Sequence, residues 1–285
     1  MWFYRFLCVT TLLHKAANAP LLSWQKHDRQ GILSIGKVIV PPGDIGGNRP
    51  AKPQENTPLL LNTPTPGLEP AQRIRIVGWL QERLPVEALN DALGTEKRVV
   101  ELAQQFRFSG DTIVKVATAA LLHNCATCFS VDELRLHPDA EDPHMSDFDR
   151  MSALSLRSFA AASIARREFR VGDNETLNAI RYHATGRAGM GTVEKLVCVA
   201  HKMQQNRKNP LFLDKVMRFI HYGDPDTLDG ALMYLFDSQI SYDLGVNELI
   251  HPRSVEARNE LLLSLKARLA EGQRRPNRVG QWSSV

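Results

Sequence analysis

The sequence is poor in cysteine and contains no long apolar run. Its 285 residues include four cysteines, Cys8, Cys125, Cys128 and Cys198. They show no framework spacing, so we expect a reducing compartment and no disulfide scaffold. No stretch of about 18 residues is continuously apolar, which argues against a transmembrane helix. Sustained two-residue alternation and a Walker-type phosphate loop are also missing, so neither a β-rich fold nor P-loop nucleotide binding is predicted.

Positive charge is concentrated at the ends of the chain. The formal net charge is +4 and the isoelectric point is about 8.9. Residues 1–75 carry nine Lys/Arg and four Asp/Glu, whereas residues 76–271 have a net charge of −4. A globally basic nucleic-acid-binding fold is therefore not predicted.

The first 27 residues have the composition of a targeting segment. They contain three basic side chains and no acidic one, and the apolar run Phe6–Leu13 ends at His14 and Lys15. We interpret residues 1–27 as an import presequence, which predicts a location in the mitochondrial matrix with the cytoplasm as the alternative. A secretory signal cleaved near Ala19 and a plain hydrophobic helix remain open as alternatives.

Two further segments have the composition of extensions outside the folded domain. Residues 28–75 are rich in proline, with eight of the sixteen prolines between residues 41 and 70. This composition predicts a disordered linker. Residues 272–285 form a short basic tail. Because such extensions can order on partners and exchange cations for counterions, we expect protein subunits and RNA as partners.

Residues 76–271 show helical periodicity. Apolar side chains recur at three- and four-residue spacing in the stretches 99–106, 113–121 and 156–165. Ser109-Gly110-Asp111 interrupts the pattern, and Asp173-Asn174 is a typical helix start. The sequence therefore predicts an all-α domain of about seven or more helices.

Several motifs within this domain resemble the YqeK-type HD-domain family. The stretch AIRYHATGRAGM at 179–190 is similar to the family's AIRYHTTGRPGM, and EKLVCVAHKMQQNR at 194–207 is similar to EKIVYLADYIEPNR. The family's closing IHPxTxxARN is matched by Ile250-His251-Pro252 and Ala257-Arg258-Asn259. Its LLHD is matched by LLHN at 121–124. The resemblance covers roughly residues 85–265 and implies an HD-domain helical bundle.

Active members of this family are metal-dependent phosphohydrolases that split diadenosine tetraphosphate into two ADP. The resemblance implies His and Asp ligands around one or two metal ions, which activate water and neutralise phosphate charge. It carries this site onto six positions of the chain, Asp91, His123, Asn124, Arg157, His183 and His201.

Most of these six positions hold an altered residue type. Two of the family's imidazoles are replaced by Asp91 and Arg157, and two of its carboxylates by Asn124 and His201. Because a neutral amide is a weak ligand and a guanidinium repels a cation, we expect metal catalysis to be lost and no cofactor to be retained. The alternative is iron or another transition metal held by Asp91, His123, His183 and His201.

The glycine-rich turn after His183 lies among basic side chains, and the resemblance places it beside the nucleotide site. A tight turn flanked by cations can hold phosphate. The candidate nucleotide- or phosphate-binding residues are Arg181, His183, Thr185, Gly186, Arg187, Gly189 and Arg207. Equally, these residues could fix the turn and fill the core.

We interpret the chain as a catalytically degenerate HD-domain protein. It is expected to act as a structural or assembly component of a larger, mitochondrial ribonucleoprotein complex and to retain a nucleotide or phosphate pocket. A second interpretation is that the chain is a nucleotide-binding module that does not hydrolyse its ligand. An active dinucleoside polyphosphate hydrolase with a rearranged metal site is a third.

Overall fold

The computed structural model describes residues 61, 63–136, 142–221, 224 and 226–274. Within these ranges the chain forms α-helices, short turns and no strand, which confirms the predicted all-α class. The predicted leader (1–27), most of the predicted linker (28–75) and the tail beyond residue 274 lie outside the described residues. In the described part of the chain, no helix combines the length and apolarity that a membrane crossing requires.

Eleven α-helices are found in the described ranges. They are α1 (Pro70–Arg83), α2 (Val86–Gln105), α3 (Gly110–Leu122), α4 (Val131–Leu136), α5 (Asp147–Met151), α6 (Ala153–Phe169), α7 (Asn174–Tyr182), α8 (Thr192–Gln205), α9 (Pro210–Met217), α10 (Thr227–Val246) and α11 (Pro252–Arg274). A single 3₁₀ turn, Cys125–Cys128, follows α3.

Short polar side chains define where several helices begin. The Ser109 hydroxyl accepts a hydrogen bond from the amide of Thr112 at the start of α3. The Asp173 carboxylate accepts one from Thr176 at the start of α7. Each cap satisfies an amide that has no partner within its own helix. The predicted interruption before α3 and the predicted start of α7 are thus present.

The helical domain begins earlier than the predicted boundary at residue 76. Helix α1 starts at Pro70, since proline fits the first turn of a helix, where its missing N–H is not needed. Leu68, Ile76 and Leu80 are all buried in the core. The last part of the predicted linker is therefore folded against the domain, because these apolar side chains give it a surface to bury.

Four helices surround the centre of the domain. Helix α2 packs against α3 and α8, and α7 packs against α3, α6 and α8. Helix α8 is buried along most of its length, from Val193 to Gln204. Since α3 and α7 both end beside α8, the residues at their carboxyl ends are brought together in the interior.

The last turns of α10 project from this core. The first half of α10 is buried, with Leu228, Leu232 and Phe236 almost inaccessible. Further on, large apolar side chains are exposed at Tyr242, Leu244, Val246 and Leu249. We call these four residues the α10 apolar end.

Candidate metal centre

Three histidines meet in the interior, each supplied by a different helix. His123 and His183 follow the last turns of α3 and α7, and His201 lies within α8. Their side chains are buried, with residue exposures of 1%, 2% and 2%. The ring centroids are 4.6–4.8 Å apart, and each pair packs edge to face. One ligand nitrogen from each ring lies within 4.8 Å of the other two.

Backbone carbonyls set the orientation of two rings. His123 Nδ1 lies 2.6 Å from the Ala120 carbonyl oxygen, and His183 Nδ1 lies 2.8 Å from that of Ile180. A carbonyl oxygen can only accept, so both Nδ1 atoms carry the hydrogen and donate. The Nε2 lone pairs of both rings are therefore available toward the centre.

The third ring completes this arrangement. His201 Nδ1 is 3.1 Å from His123 Nε2. Because His123 Nε2 accepts, His201 donates through Nδ1 and keeps its lone pair on Nε2. His183 Nε2 and His201 Nε2 are buried and have no hydrogen-bond partner among the described residues. Two unpartnered nitrogen lone pairs in one buried cluster are suited to a bound metal ion.

Burial keeps the imidazoles of His183 and His201 neutral. Desolvation, reinforced by the neighbouring His123 ring, holds the pKa of His183 well below its usual range. Desolvation together with His183 and His123 does the same to the pKa of His201. The neutral ring is the form that binds a metal, so His183 and His201 need no deprotonation at neutral pH to act as ligands.

A carboxylate and an amide border the cluster. Oδ2 of Asp91, on α2, is 3.4 Å from His123 Nε2 and 3.9 Å from His201 Nδ1. The side-chain amide of Asn124 donates to the same Oδ2 over 2.8 Å. Five of the six positions that the resemblance assigns to the metal site are thus brought together.

Arg157 is the sixth position, and the structure places it differently. It lies on α6, half-buried, and its Nε atom is buried without a hydrogen-bond partner. Among the described residues no hydrogen bond or ion pair joins Arg157 to the three histidines. Its expected role as a cation replacing the metal charge remains a prediction.

The residues present fit one transition-metal ion. The three imidazoles and the Asp91 carboxylate form a donor set that zinc and similar ions accept. His123 joins this set when its Nε2 exchanges the hydrogen bond from His201 for the metal. The unpartnered Nε2 atoms of His183 and His201 are the observation that favours the fit. The expectation that no cofactor is retained therefore stays a prediction.

Two large cavities occur in the described part of the chain. The first, here called the α2 cavity, has a volume of about 750 Å³ and lies along α2. The second, of about 460 Å³, adjoins Lys202, Asp243 and His251. None of Asp91, His123, His183 and His201 lines either cavity. The three imidazoles are buried, whereas the Asp91 side chain is 17% exposed. Structural metal sites are typically enclosed, and catalytic metals keep an open position.

The cations predicted to bind phosphate beside the glycine-rich turn are already paired. Arg187 forms two hydrogen bonds to the Glu194 carboxylate, over 2.7 and 2.8 Å. Arg181 donates to Asp142 over 2.8 Å and to Asn178 over 3.1 Å. An anion at this turn would compete with these internal partners.

The turn itself has a structural reason for its glycines. Gly186 and Gly189 adopt φ angles of +63° and +71°, the left-handed region that other residues rarely enter. A Cβ atom on Gly186 would lie 2.4 Å from the Phe236 ring. The Thr185 hydroxyl donates to the Gly186 carbonyl, so the turn also satisfies its own polar groups.

Two of the predicted phosphate ligands line a cavity: Thr185 lines the second cavity and Arg207 lines the α2 cavity. Arg207 Nη1 donates to the Gln204 carbonyl over 3.1 Å. Lys97 and Arg98 also line the α2 cavity. Sequence reasoning missed both. For Lys97 a signal exists, because the polar residues at 90, 97, 101 and 104 recur at helical spacing and indicate one polar face.

The chain is similar to known proteins that share one name, although no family model matches it. The chain is 31% identical over 138 residues to the Bacillus subtilis protein named bis(5'-nucleosyl)-tetraphosphatase, symmetrical, spanning 72% of that protein and 48% of this chain. It is 28% identical over 174 residues to the protein of the same name from Halalkalibacterium halodurans, spanning 88% of that protein and 61% of this chain.

A solved structure has a similar fold. It is the crystal structure of a protein from Clostridium acetobutylicum, described as a predicted HD superfamily hydrolase involved in NAD metabolism. The TM-score is 0.58 at 24% identity, over 67% of this chain and 96% of the other. This likeness supports the HD-domain fold.

Proposed function

This chain belongs to the YqeK-type HD-domain family of symmetrical bis(5'-nucleosyl)-tetraphosphatases, and we propose that it is a member that no longer hydrolyses dinucleoside polyphosphates. In this proposal the chain binds a nucleotide or phosphate without cleaving it. It acts as a structural or assembly component of a larger complex.

The burial of the three histidine rings is the observation that supports the proposal most directly. Hydrolysis by a metal requires the substrate phosphate and a water to reach the ion. The three rings are at most 2% exposed, and neither large cavity is lined by them or by Asp91. A buried centre of this kind favours a structural role for the metal over a catalytic one.

The pattern of carboxylates supports the same conclusion. Asn124 stands where the family has an aspartate, and its amide donates to Asp91, which is the one carboxylate that borders the three histidines in the described residues. A metal bound by Asp91, His123, His183 and His201 would cross-link α2, α3, α7 and α8 and add to the free energy of folding.

The α10 apolar end supports an assembly role. Tyr242, Leu244, Val246 and Leu249 are all exposed within one short stretch. Clustered exposed apolar side chains commonly mark a protein–protein contact. We assign the complex to a mitochondrial ribonucleoprotein because residues 1–27 are basic and free of acids, as in an import presequence, and because the tail 272–285 is basic.

Sedimentation of a native organelle extract tests the assembly role. We expect the full chain to co-sediment with a large particle and to shift to lighter fractions after RNase treatment. Replacement of Tyr242 and Leu249 by Ser should weaken this association, whereas Leu211→Ser, at an equally exposed position on α9, should not. Recovery of the chain as a free species in untreated native extract would contradict the proposal.

An active hydrolase with a rearranged site is the second candidate. The two unpartnered Nε2 atoms of His183 and His201 favour it, because they leave the cluster ready for a metal. Release of ADP from diadenosine tetraphosphate by the metal-loaded chain, lost in the His183→Asn variant, would establish this alternative and overturn the first.

A further inference from the structure

We propose that the α2 cavity binds the phosphate chain of a nucleotide, and that Lys97, Arg98 and Arg207 hold that chain. The inference rests on the proposed binding of a nucleotide without cleavage. It assigns that binding to a place distinct from the glycine-rich turn and from the three-histidine centre.

The cavity is a groove with two different walls. One wall is the polar face of α2, and the carboxyl end of α8 contributes Gln204 and Arg207. The other is the segment 63–66, which precedes the part of the chain that resembles the family. Its volume of about 750 Å³ falls within the range of small-molecule sites, roughly 300–1,000 Å³.

A buried ion pair holds the second wall in place. Nε and Nη2 of Arg73 donate to the two carboxylate oxygens of Glu96, both over 2.8 Å. The Thr65 hydroxyl donates to the same carboxylate, and Arg73 Nη1 donates to the Leu61 carbonyl over 2.8 Å. Since Arg73 and Glu96 satisfy each other, neither contributes net charge to the cavity.

The remaining cations of the cavity are weakly compensated. Arg98 Nε is buried and has no hydrogen-bond partner among the described residues. Lys97 is 4.0 Å from Glu101, at the limit of an ion pair between two exposed side chains. Arg207 uses one of its five N–H groups on the Gln204 carbonyl. Three cations thus face one acid, Glu101.

An anion with several oxygens would complete this arrangement. A buried guanidinium N–H without an acceptor is unfavourable, and phosphate oxygens are the acceptors that guanidinium groups fit best. Lys97 and Arg98 both line the cavity, so both can approach one phosphate chain. The polar face from Asn90 to Gln104 extends over about 21 Å of helix, enough for a phosphate chain with a nucleoside attached.

The rest of the lining favours a nucleotide over free phosphate. Leu93, Val100, Pro64 and Pro66 give apolar surface on which a base can pack. The Gln204 amide lies against α2 because Gly94 has no side chain; a Cβ there would be 2.2 Å from Gln204 Nε2. The amides of Gln104 and Gln204 offer both donors and acceptors to the edge of a base.

Isothermal titration of the full chain tests this assignment with four probes: ADP, diadenosine tetraphosphate, inorganic triphosphate and adenosine. We expect ADP and diadenosine tetraphosphate to bind, triphosphate to bind more weakly and adenosine to bind most weakly. Arg98→Met should raise the Kd for ADP at least tenfold. The matched control Arg218→Met, at an exposed arginine that directly follows α9 and pairs with Asp214, should leave it unchanged.

A gain of affinity separates binding from folding. Glu101→Gln removes the acid that opposes the three cations, so it should lower the Kd for ADP several-fold. A misfolded variant could not produce this result. Equal Kd values for the parent chain, Arg98→Met and Glu101→Gln would overturn the assignment, as would undetectable binding of ADP. Triphosphate binding as tightly as ADP would overturn the nucleotide part of it.

The outcome is separable from the fate of the proposed function. Cleavage of diadenosine tetraphosphate would contradict the proposed loss of hydrolysis. A higher Kd for ADP in Arg98→Met would still support nucleotide binding in the α2 cavity. Absence of both binding and cleavage would overturn the cavity assignment and the proposed nucleotide binding, but it would leave the proposed loss of hydrolysis intact.

Discussion

The side-chain amide of Asn124 donates a hydrogen bond to Oδ2 of Asp91 over 2.8 Å. This contact joins two positions at which the chain departs from the HD pattern. An aspartate at position 124 would place a second negative charge against Asp91 unless a cation lay between them. The amide makes the pair stable without one.

Asn124→Asp should therefore destabilise the metal-free protein. Two adjacent carboxylates repel, and the hydrogen bond to Asp91 is lost, so we expect a loss of about 1–3 kcal/mol in the free energy of unfolding. Excess Zn²⁺ should recover most of it. Thermal unfolding in EDTA and in Zn²⁺ measures both effects, with Asn259→Asp on the exposed face of α11 as the control. An unchanged melting temperature in EDTA would contradict this account of the pair.

Gly186→Ala should be strongly destabilising for a structural reason. Position 186 has a φ of +63°, and the added Cβ would meet the Phe236 ring at 2.4 Å. We expect a loss of about 2–4 kcal/mol from strain and displacement of the ring. Gly78→Ala is the matched control because nothing lies within 4 Å of its added Cβ in the middle of α1.

The control should have the opposite sign. Alanine in a helix interior is favoured over glycine by about 0.5–1 kcal/mol, so Gly78→Ala should raise stability. Urea unfolding of both variants provides the comparison. If Gly186→Ala lost nucleotide affinity at full stability, the structural role of the turn would be refuted.

Asp149 anchors a second buried network, at the start of α5. It accepts hydrogen bonds from His251 Nε2 over 2.9 Å, from Ser146 and from Arg253. Burial alone would raise the pKa of Asp149, but these donors together hold it well below its usual range. Asp149→Asn should cost about 3–5 kcal/mol at neutral pH, since it leaves Arg253 without its partner.

The pH dependence of this cost has a definite sign. A carboxyl whose pKa is lowered by folding stabilises the protein above its unfolded pKa, near 4, and less as the pH falls toward the folded value. The difference in unfolding free energy between the parent chain and Asp149→Asn should therefore shrink below about pH 4. A difference that stays constant from pH 7 to pH 3 would show that Asp149 is not charged in the fold.

Metal binding should depend on the three buried imidazoles. We expect Zn²⁺ to raise the melting temperature of the EDTA-treated chain, because a ligand at 100 times its Kd stabilises by about 2.7 kcal/mol. His183→Asn should abolish this increase, whereas His221→Asn, at an exposed histidine, should not. Equal increases in all three proteins would place the metal elsewhere.

The sequence was sufficient to predict the helical class and the positions of the central residues. Apolar spacing identified the body, and the motifs around His123, His183 and His201 located the cluster. Helical spacing and short motifs depend only on nearby residues in the sequence, so both could be recognised without knowledge of the fold. The start of α1 at Pro70 was missed, because the proline content of residues 41–70 indicated a linker. In the fold, Leu68 and Ile76 on either side of this start are buried in the core.

Other features depend on tertiary contacts that spacing does not encode. Arg187 forms an ion pair with Glu194, and Arg181 forms one with Asp142. Only the fold shows that these ion pairs form. In the same way, Arg98 is one basic residue among many until the segment 63–66 packs opposite it. The pairing state of each arginine, more than its position in a motif, decides whether it can bind an anion.

The central claim is that the three-histidine centre is closed to substrate. The most direct test is a single-turnover assay in which the full chain, loaded with Fe²⁺, Mn²⁺, Co²⁺ or Zn²⁺, is in excess over diadenosine tetraphosphate. The Bacillus subtilis relative serves as the positive control and the His183→Asn variant as the blank. We predict ADP formation no faster than the blank with every metal, whereas ADP release at a rate approaching that of the relative would contradict the account.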